Sequence, residues 1–580
     1  MNQTVQLYTA FGETMDRKKP LPEYPRPQLV RDSYLNLNGE WDYAILKKEE
    51  KLTEYQGKIL VPFSPECALS GVNRQVLPED VLYYRTVFTL PQGFKKDIVL
   101  LHFGAVDYAA NIFINGKKAG FHKGGYFPFT LDITALLQDG SNELTLSVTD
   151  PSDTGSQSKG KQRLRRGGIF YTAQSGIWQT VWMESVPRTY IRNVMLTPDI
   201  DKGTLSVVCQ GIATGSAEVF DGQKQIASAK IFDGKCELRL ALYELWTPEN
   251  PKLYDIVIKS GEDAVKSYFG MRKFGTGKDA QGHMRLMLNN RPYFHNGLLD
   301  QGYYPDGLYT PPSDEAMIFD IMTAKKTGFN MLRKHIKIEP LRWYYHCDRL
   351  GMLVWQDMIN GGGRSNNIFL GFLGGILNMK IPDTCYSLCA RKDKAGREEY
   401  YIDAERTVRL LYNSVSLCLW VPFNESWGQF DALKACDFVR ELDATRPIDH
   451  ASGWLDQKGG DFLSRHIYFT PVRFPAGDAY GRTKILSEFG GYSLKLDGHV
   501  YNTVTSFGYR KFKSKESFAK AYKKLYLEQI VPQIQKGLAA TVYTQLTDVE
   551  DEINGLLTYD RKELKLDADT LRQINAKIKL

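Results

Sequence analysis

Two glutamates stand where chemistry could happen: Glu425 in residues 420–428 (WVPFNESWG) and Glu488 in residues 484–490 (KILSEFG). Each follows a run of apolar, strand-like residues, so its carboxylate emerges at the end of a buried strand, the place where barrel enzymes hold their reacting groups. Two carboxylates facing each other across a cleft are the minimum apparatus for cleaving a glycosidic bond, one giving a proton and the other attacking the sugar. Taken singly, Glu425 also reads as a first-turn helix glutamate favoured by the macrodipole, and Glu488 as an ion-pair partner of a nearby Lys or Arg. Asn424 directly before Glu425, and the strand-end position of both, favour the catalytic reading.

The expected mechanism follows from charge. Glu425 has to hold a proton at neutral pH, and a second carboxylate nearby raises its pKa by disfavouring a second negative charge. Glu488 stays ionised and attacks the anomeric carbon; once the glycosyl ester forms, Glu425 loses its proton more easily and acts as base on water. Two inversions give net retention, with the carboxylates about 5–5.5 Å apart. Asn424 would hydrogen-bond the sugar 2-hydroxyl.

The elements that must position these groups fall into three parts, expected at 1–187, 188–274 and 275–580. The first alternates short strand-like runs (39–43, 82–88, 98–103, 110–114, 143–148) with turns, Asn115-Gly116 among them, and reads as a β-sandwich. The second repeats that style near 204–208, 217–220, 236–240 and 254–258, with the size of an immunoglobulin-like sandwich. After Phe274 strand-like runs alternate with helical ones. Strands are expected at 293–295, 331–333, 353–355, 417–421, 449–451, 466–468, 485–487 and 540–543, with helices near 314–326, 340–349, 431–442 and 515–535. Eight strand-helix units fit a closed (β/α)8 barrel, placing Glu425 after the fourth strand and Glu488 after the seventh.

At 580 residues the chain exceeds one core. Its 74 basic and 67 acidic residues are mixed, which implies no nucleic-acid partner. The compact basic run at 159–166 (KGKQRLRR) reads as a solvated loop, with an anion patch as the alternative. Eight scattered cysteines fit a reducing compartment. No secretory signal is visible at the first residues, and the longest apolar run, 368–377, is short of the roughly 20 residues of a membrane span, so a cytoplasmic protein without a membrane partner is expected. Serine-hydrolase, Walker and dinucleotide motifs are absent, and the histidines show no metal-ligand spacing. No cofactor or metal is therefore expected.

Around both glutamates the chain resembles glycoside hydrolase family 2, the β-galactosidase and β-glucuronidase family. The likeness extends to residues 37–41 (LNGEW), Tyr84-Arg85, 106–115 (VDYAANIFIN) with Gly116, and 175–178 (SGIW), similar to that family's sugar-binding-like jelly-roll sandwich. It extends also to 246–254 (WTPENPKLY) and 269–272 (FGMR) in its immunoglobulin-like domain, and to 330–335 (NMLRKH) in its TIM barrel. The resemblance implies a retaining exo-β-glycosidase, β-galactosidase-like, acting on a carbohydrate substrate. It implies substrate contacts from Arg333, His335, Asp357 and Tyr468. Each has a plainer reading: a brace for Glu488, a core histidine, a helix cap and a packed aromatic.

Two departures bear on the sugar. Leu556 stands where glucuronide-cleaving members place the lysine of an Asn-x-Lys pair, which disfavours glucuronidase. The Glu and His positions of metal-dependent galactosidases hold other residues, which puts magnesium dependence in doubt. After the eighth strand Gln545 is the first choice for a further pocket residue, ahead of Asp548 and Glu550. The insertion at 361–400 is either a wall on the aglycone side or a packed excursion. β-Mannosidase, β-glucosidase and arabinosidase activities, a non-catalytic carbohydrate-binding protein on the same scaffold, and a homo-oligomer all stay open.

Overall fold

The computed structural model describes residues 4–363, 382–475, 477–478 and 480–580. Strict alternation builds the first layers: Ser141–Thr149 buries Asn142, Leu144, Leu146 and Val148 and turns the residues between them outward. A six-stranded sheet, ordered Gly57–Val61, Gly39–Lys47, Asp80–Thr89, Ser141–Thr149, Ala109–Ile114, Lys117–Lys123, shares a core with a four-stranded one, ordered Leu35–Asn36, Val181–Val186, Ile98–Phe103, Phe129–Asp132. Asn115 and Gly116 both take positive φ, +51° and +74°, as the two-residue hairpin between paired Ile114 and Lys117 requires.

The middle unit is seven antiparallel strands, ordered Asn193–Asp199, Thr204–Gln210, Lys235–Arg239, Lys224–Phe232, Thr214–Asp221, Tyr254–Ser260, Asp263–Phe269, wrapped on an apolar core that includes Val207, Val219, Ile256 and Val265. All eight cysteines are free thiols. No helix among the described residues is long and apolar enough to cross a membrane.

The last unit is a curled parallel sheet ordered Leu417–Val421, Leu353–Asp357, Met331–Lys334, His295–Asp300, Leu538–Thr544, Thr483–Gly490, Phe462–Ile467. Seven of the eight expected strands form, with two displaced: the first, expected at 293–295, is His295–Asp300, and the sixth, expected at 466–468, is Phe462–Ile467. The fifth, expected at 449–451, is an irregular segment instead. It follows the fourth strand by single bridges, Trp420 to Ile448 and Asn424 to Ser452, and meets the sixth through the Asp461 N–H on Ile448 O. Pro447 lacks the N–H that a ladder needs, and the segment after it is short and largely polar, so regular pairing fails there. The helix expected near 515–535 forms as Lys515–Lys524, a π-helical turn at Leu525–Ile530 and Val531–Ile534. An unforeseen helix, Lys394–Leu411, starts at Asp393, whose side chain accepts from the N–H groups of Ala395 and Gly396. Only its first part, up to residue 400, lies within the expected insertion; residues 368–377 of that insertion are outside the described residues.

One hydrophobic core crosses the boundary between sandwich and barrel, joining Phe63, Tyr126, Tyr171 and Trp178 to Tyr303 and Tyr309. The sandwich is thereby fixed against the barrel mouth.

Candidate active site

The fourth strand, Leu417–Val421, is fully buried and ends in residues 424–428, which turn sharply. Glu425 and Ser426 have φ of +46° and +63°, a left-handed conformation that costs side-chain-bearing residues about 1–2 kcal/mol each. Surrounding bonds hold it: the Glu425 N–H donates to Ser452 O at 2.9 Å and the Trp427 N–H to Asn424 O at 2.9 Å. At Gly428 a Cβ would lie 2.4 Å from Gly361 O, so only glycine lets the two chains touch. Glu488 sits within the long strand Thr483–Gly490, every residue of which is buried.

The two carboxylates converge. One oxygen of each and a ring nitrogen of His466 lie within 4.8 Å of one another. That approach is compatible with the roughly 5–5.5 Å between carboxyl groups that a double displacement needs. His466 Nδ1 is 2.7 Å from Glu425 Oε1 and 3.5 Å from Glu488 Oε2. Its Nε2 lies 3.0 Å from Ser452 Oγ and 3.5 Å from Arg333 Nη1; a guanidinium only donates, so Nε2 is the acceptor and the proton is on Nδ1, facing the glutamates. The trio could also ligate a metal ion, but each member already serves the protein's own hydrogen bonds.

Arg333 is the hub. Nε and Nη2 donate to Asp357 at 2.9 and 3.1 Å, Nη2 also to Asn424 Oδ1 at 2.8 Å, and Nη1 to Ser487 O at 3.0 Å and Glu488 Oε1 at 3.1 Å. All five donors of its guanidinium are thus used within the protein. Arg333 therefore positions Glu488 and Asn424. Asp357 is likewise spent, accepting from Arg333 and, at 2.7 Å, bonding His335 Nδ1. Asn424 keeps Nδ2 buried without a partner, a donor left for a ligand beside Glu425. Tyr468 donates to Glu488 Oε2 and stacks flat on Tyr509 at 3.7 Å. Gln545 stands further off. It bonds Gln301 at 2.7 Å and Asn554 at 2.9 Å, and Asn554 in turn donates to Glu552. Asp548 is tied to Lys565 at 2.6 Å.

Burial dominates the electrostatics. It pushes Glu425 up to about 7, opposed by the charges of Lys161 and Arg333 and reinforced by Glu552. The expected cause, repulsion from the second carboxylate, is not the leading one. Burial raises Glu488 as well, against His466, Arg333 and the Tyr468 hydroxyl, with Glu425 adding to the rise. The pair is asymmetric: Glu488 receives two strong donors from Arg333 and Tyr468, which hold the negative charge there, while Glu425 receives one from His466. Burial drives His466 down to about 4 and His335 down to about 3, so both rings are neutral at pH 7.

Three contributors lay outside the sequence expectation. His466 and Tyr468 are two apart, and period two puts them on one barrel face. Asp449, fully buried on the fifth segment and raised by burial to about 6, lies near Arg333. The third is the basic run at 159–166, whose first half is buried although Arg165 is exposed. Lys159 and Lys161 are 8% and 6% exposed. The N–H groups of Lys159 and Gly160 donate to Asn360 O at 2.8 and 3.0 Å, and Arg166 pairs with Asp551 at 2.9 Å, so the loop is clamped over the barrel mouth. A separate cavity of about 390 Å³, where Arg26, His102, Trp182 and Arg406 meet, contains neither glutamate.

Three family models match the chain: "Glycosyl hydrolase 2 galactose-binding domain-like" over residues 64–177, "Glycosyl hydrolases family 2" over 189–272, and "Glycosyl hydrolases family 2, TIM barrel domain" over 306–474. A β-galactosidase of Photobacterium profundum is 28% identical over 504 residues, 77% of this chain and 45% of that protein. A putative β-glucuronidase of Formosa agariphila is 26% identical over 300 residues, 48% of this chain and 34% of that one. The chain spans less than half the length of these curated relatives. Among solved structures, the β-D-glucuronidase of Dictyoglomus thermophilum aligns with TM-score 0.75 at 17% identity, covering 96% of this chain and 99% of that one. A family 2 β-galacturonidase from Eisenbergiella tayi bound to galacturonate aligns with TM-score 0.70 at 17% identity, covering 96% and 100%.

Proposed function

The chain belongs to glycoside hydrolase family 2, and on that premise we propose that it hydrolyses terminal β-glycosides with retention, Glu488 acting as nucleophile and Glu425 as acid and base. The observation that carries this is the asymmetric pair: two carboxylates within 4.8 Å, one braced by Arg333 and Tyr468 as the anion, the other raised by burial to hold a proton.

In the first step a Glu488 oxygen bonds the anomeric carbon as the glycosidic C–O bond breaks, and the Glu425 proton goes to the departing oxygen. Forming the ester removes the Glu488 charge, so Glu425, now anionic, takes a proton from water as that water attacks the same carbon. The ester C–O bond breaks as the water oxygen bonds the carbon, Glu488 leaves as a carboxylate, and both carboxyl groups return to their starting states. Asn424 Nδ2 is placed to hold the 2-hydroxyl, and the neutral His335, whose Nδ1 is held by Asp357, has Nε2 left to bond a sugar hydroxyl without adding charge.

The sugar is read as a terminal β-linked hexose of the galactose or uronic-acid kind. Relatives named β-galactosidase support the first; fold neighbours named β-glucuronidase and β-galacturonidase support the second, for which Leu556 leaves a carboxylate to be held by some cation other than the lysine expected there. A panel of aryl β-glycosides, with NMR of the first-formed anomer, tests the proposal. The β anomer should appear first and Glu488→Gln should abolish release. An α first product refutes retention, and saturable binding without hydrolysis, indifferent to Glu488→Gln, identifies a lectin instead.

A further inference from the structure

We propose that Lys161, carried into the cleft by a loop of the N-terminal sandwich, receives an anionic group of the substrate, so that the enzyme selects glycosides bearing a carboxylate or sulfate over their neutral parents. The inference rests on the reading of the cleft as a retaining glycosidase site and adds the charge of its substrate.

The lysine is built in rather than draped. Gly160, at φ +61°, has Ile336 O, Tyr126 Oη and Tyr309 Oη within 3.1 Å of where a Cβ would stand, so the chain before Lys161 is pressed against the barrel. Gln162, directly after it, donates to Asp107 at 3.2 Å and Tyr126 Oη at 3.1 Å and accepts from the Gln174 N–H at 2.9 Å. Between these fixed neighbours the Lys161 side chain, 6% exposed, ends with Nζ 5.5 Å from the centre of the Tyr171 ring and 5.4 Å from that of Trp427.

No carboxylate lies within ion-pair distance of this ammonium among the described residues, and no acceptor is in hydrogen-bond range. Several other cations of the barrel and its mouth are paired. Arg333 is matched by Asp357 and Glu488, Lys334 by Asp300 and Glu339, Lys337 by Glu339, Arg166 by Asp551, and Lys565 by Asp548. With its stem buried between two rings and no carboxylate paired with its tip, the ammonium keeps N–H donors free toward the cleft, and the aromatic faces supply only part of a counter-charge. The location says what could complete it. Trp427 is two residues from Glu425 and its ring faces His335 at 6.5 Å, and the charge of Lys161 acts on both Glu425 and His335. An anionic substituent on a sugar held between the catalytic pair and Trp427 would meet the ammonium, with the rings as its stacking wall.

The test compares kcat/KM of the full chain on 4-nitrophenyl β-D-glucuronide, β-D-galacturonide and the 6-sulfated β-D-galactoside with the matching neutral glucoside and galactoside. The acidic-over-neutral ratio should exceed one for the wild type. It should fall about 10- to 100-fold in Lys161→Gln, the range for one charge-assisted bond, and largely recover in Lys161→Arg. The substrate showing the effect tells carboxylate from sulfate. Preference for the neutral parents by the wild type overturns the proposal. So does an equal loss on acidic and neutral substrates in Lys161→Gln, with Lys161→Met melting like the wild type, which would leave the lysine a tuner of Glu425. Glu488-dependent hydrolysis of neutral sugars alone defeats only this inference; no hydrolysis of any substrate defeats the glycosidase reading with it.

Discussion

Replacing Glu425 by glutamine removes the proton while keeping the shape, and the structure sets the size of the effect. A glutamate at its ordinary pKa of about 4.3 would be protonated to only about 0.2% at pH 7. Held near 7 by burial, Glu425 is about half protonated there. The wild-type rate should therefore fall as pH rises through about 7, close to tenfold per unit beyond it, because the general acid has lost its proton. Protonation of Glu488, also raised by burial, should limit the acidic side, because the nucleophile is then neutral. In Glu425→Gln the basic limb should vanish. Glycosides with poor leaving groups, such as 4-methoxyphenyl, should lose about 10²–10⁴ in kcat/KM, the usual worth of a positioned acid. Those with 2,4-dinitrophenolate, which departs without a proton, should lose about tenfold or less. Azide, an anionic nucleophile that needs no base, should restore turnover and leave a β-glycosyl azide. Steady-state kinetics across pH with both leaving groups measures all of this. A basic limb that persists unchanged in the variant, or equal losses on both leaving groups, would refute the assignment.

Tyr468→Phe removes one donor from Glu488 and should lower kcat/KM about 10- to 100-fold while leaving the melting temperature within a few degrees, checked by kinetics and thermal unfolding. Arg333→Met strands Asp357 and Glu488 without their shared cation and should cost about 3–5 kcal/mol of stability as well as activity, read by denaturant unfolding. Gly160→Ala drives a Cβ to 2.9 Å from Ile336 O in a left-handed backbone and should cost about 1–3 kcal/mol and raise KM by displacing the loop that carries Lys161. Chelation with EDTA should leave kcat/KM unchanged, because the Arg333 guanidinium 3.1 Å from Glu488 already supplies the positive charge that a metal would bring; loss of activity restored by a divalent cation would contradict this.

The parts of the site most legible in sequence were those with local signals. An apolar run ending in Asn-Glu or Ser-Glu marks a strand and the carboxylate after it, and alternation marked the sandwich strands, because both periods are written in neighbouring residues. His466 was within reach by the same alternation once Tyr468 was chosen. The helix Lys394–Leu411 carried its own signals, Asp393 as cap and buried Tyr400, Ala404, Val408 and Leu411 at helical spacing, obscured by the glycine-rich stretch before it. Other features depend on distant partners. The fifth barrel segment has no regular ladder of its own. Whether KGKQRLRR is solvated or clamped is decided by Asn360, Ile336 and Asp551, far away in the chain. The five-donor hub at Arg333 depends on groups from strands up to 155 positions apart, and no local pattern announces how a guanidinium is shared.

Trapping the intermediate tests the central claim most directly. A 2-deoxy-2-fluoro β-glycosyl fluoride of the sugar that is cleaved should inactivate the enzyme, since fluorine at C2 slows breakdown of the ester more than the reactive fluoride slows its formation. Peptide mass spectrometry should then find one fluoroglycosyl group, on Glu488. A label on another residue, or turnover of the natural substrate with no covalent species under any quench, would contradict an account in which Glu488 is the attacking carboxylate and Glu425 its acid.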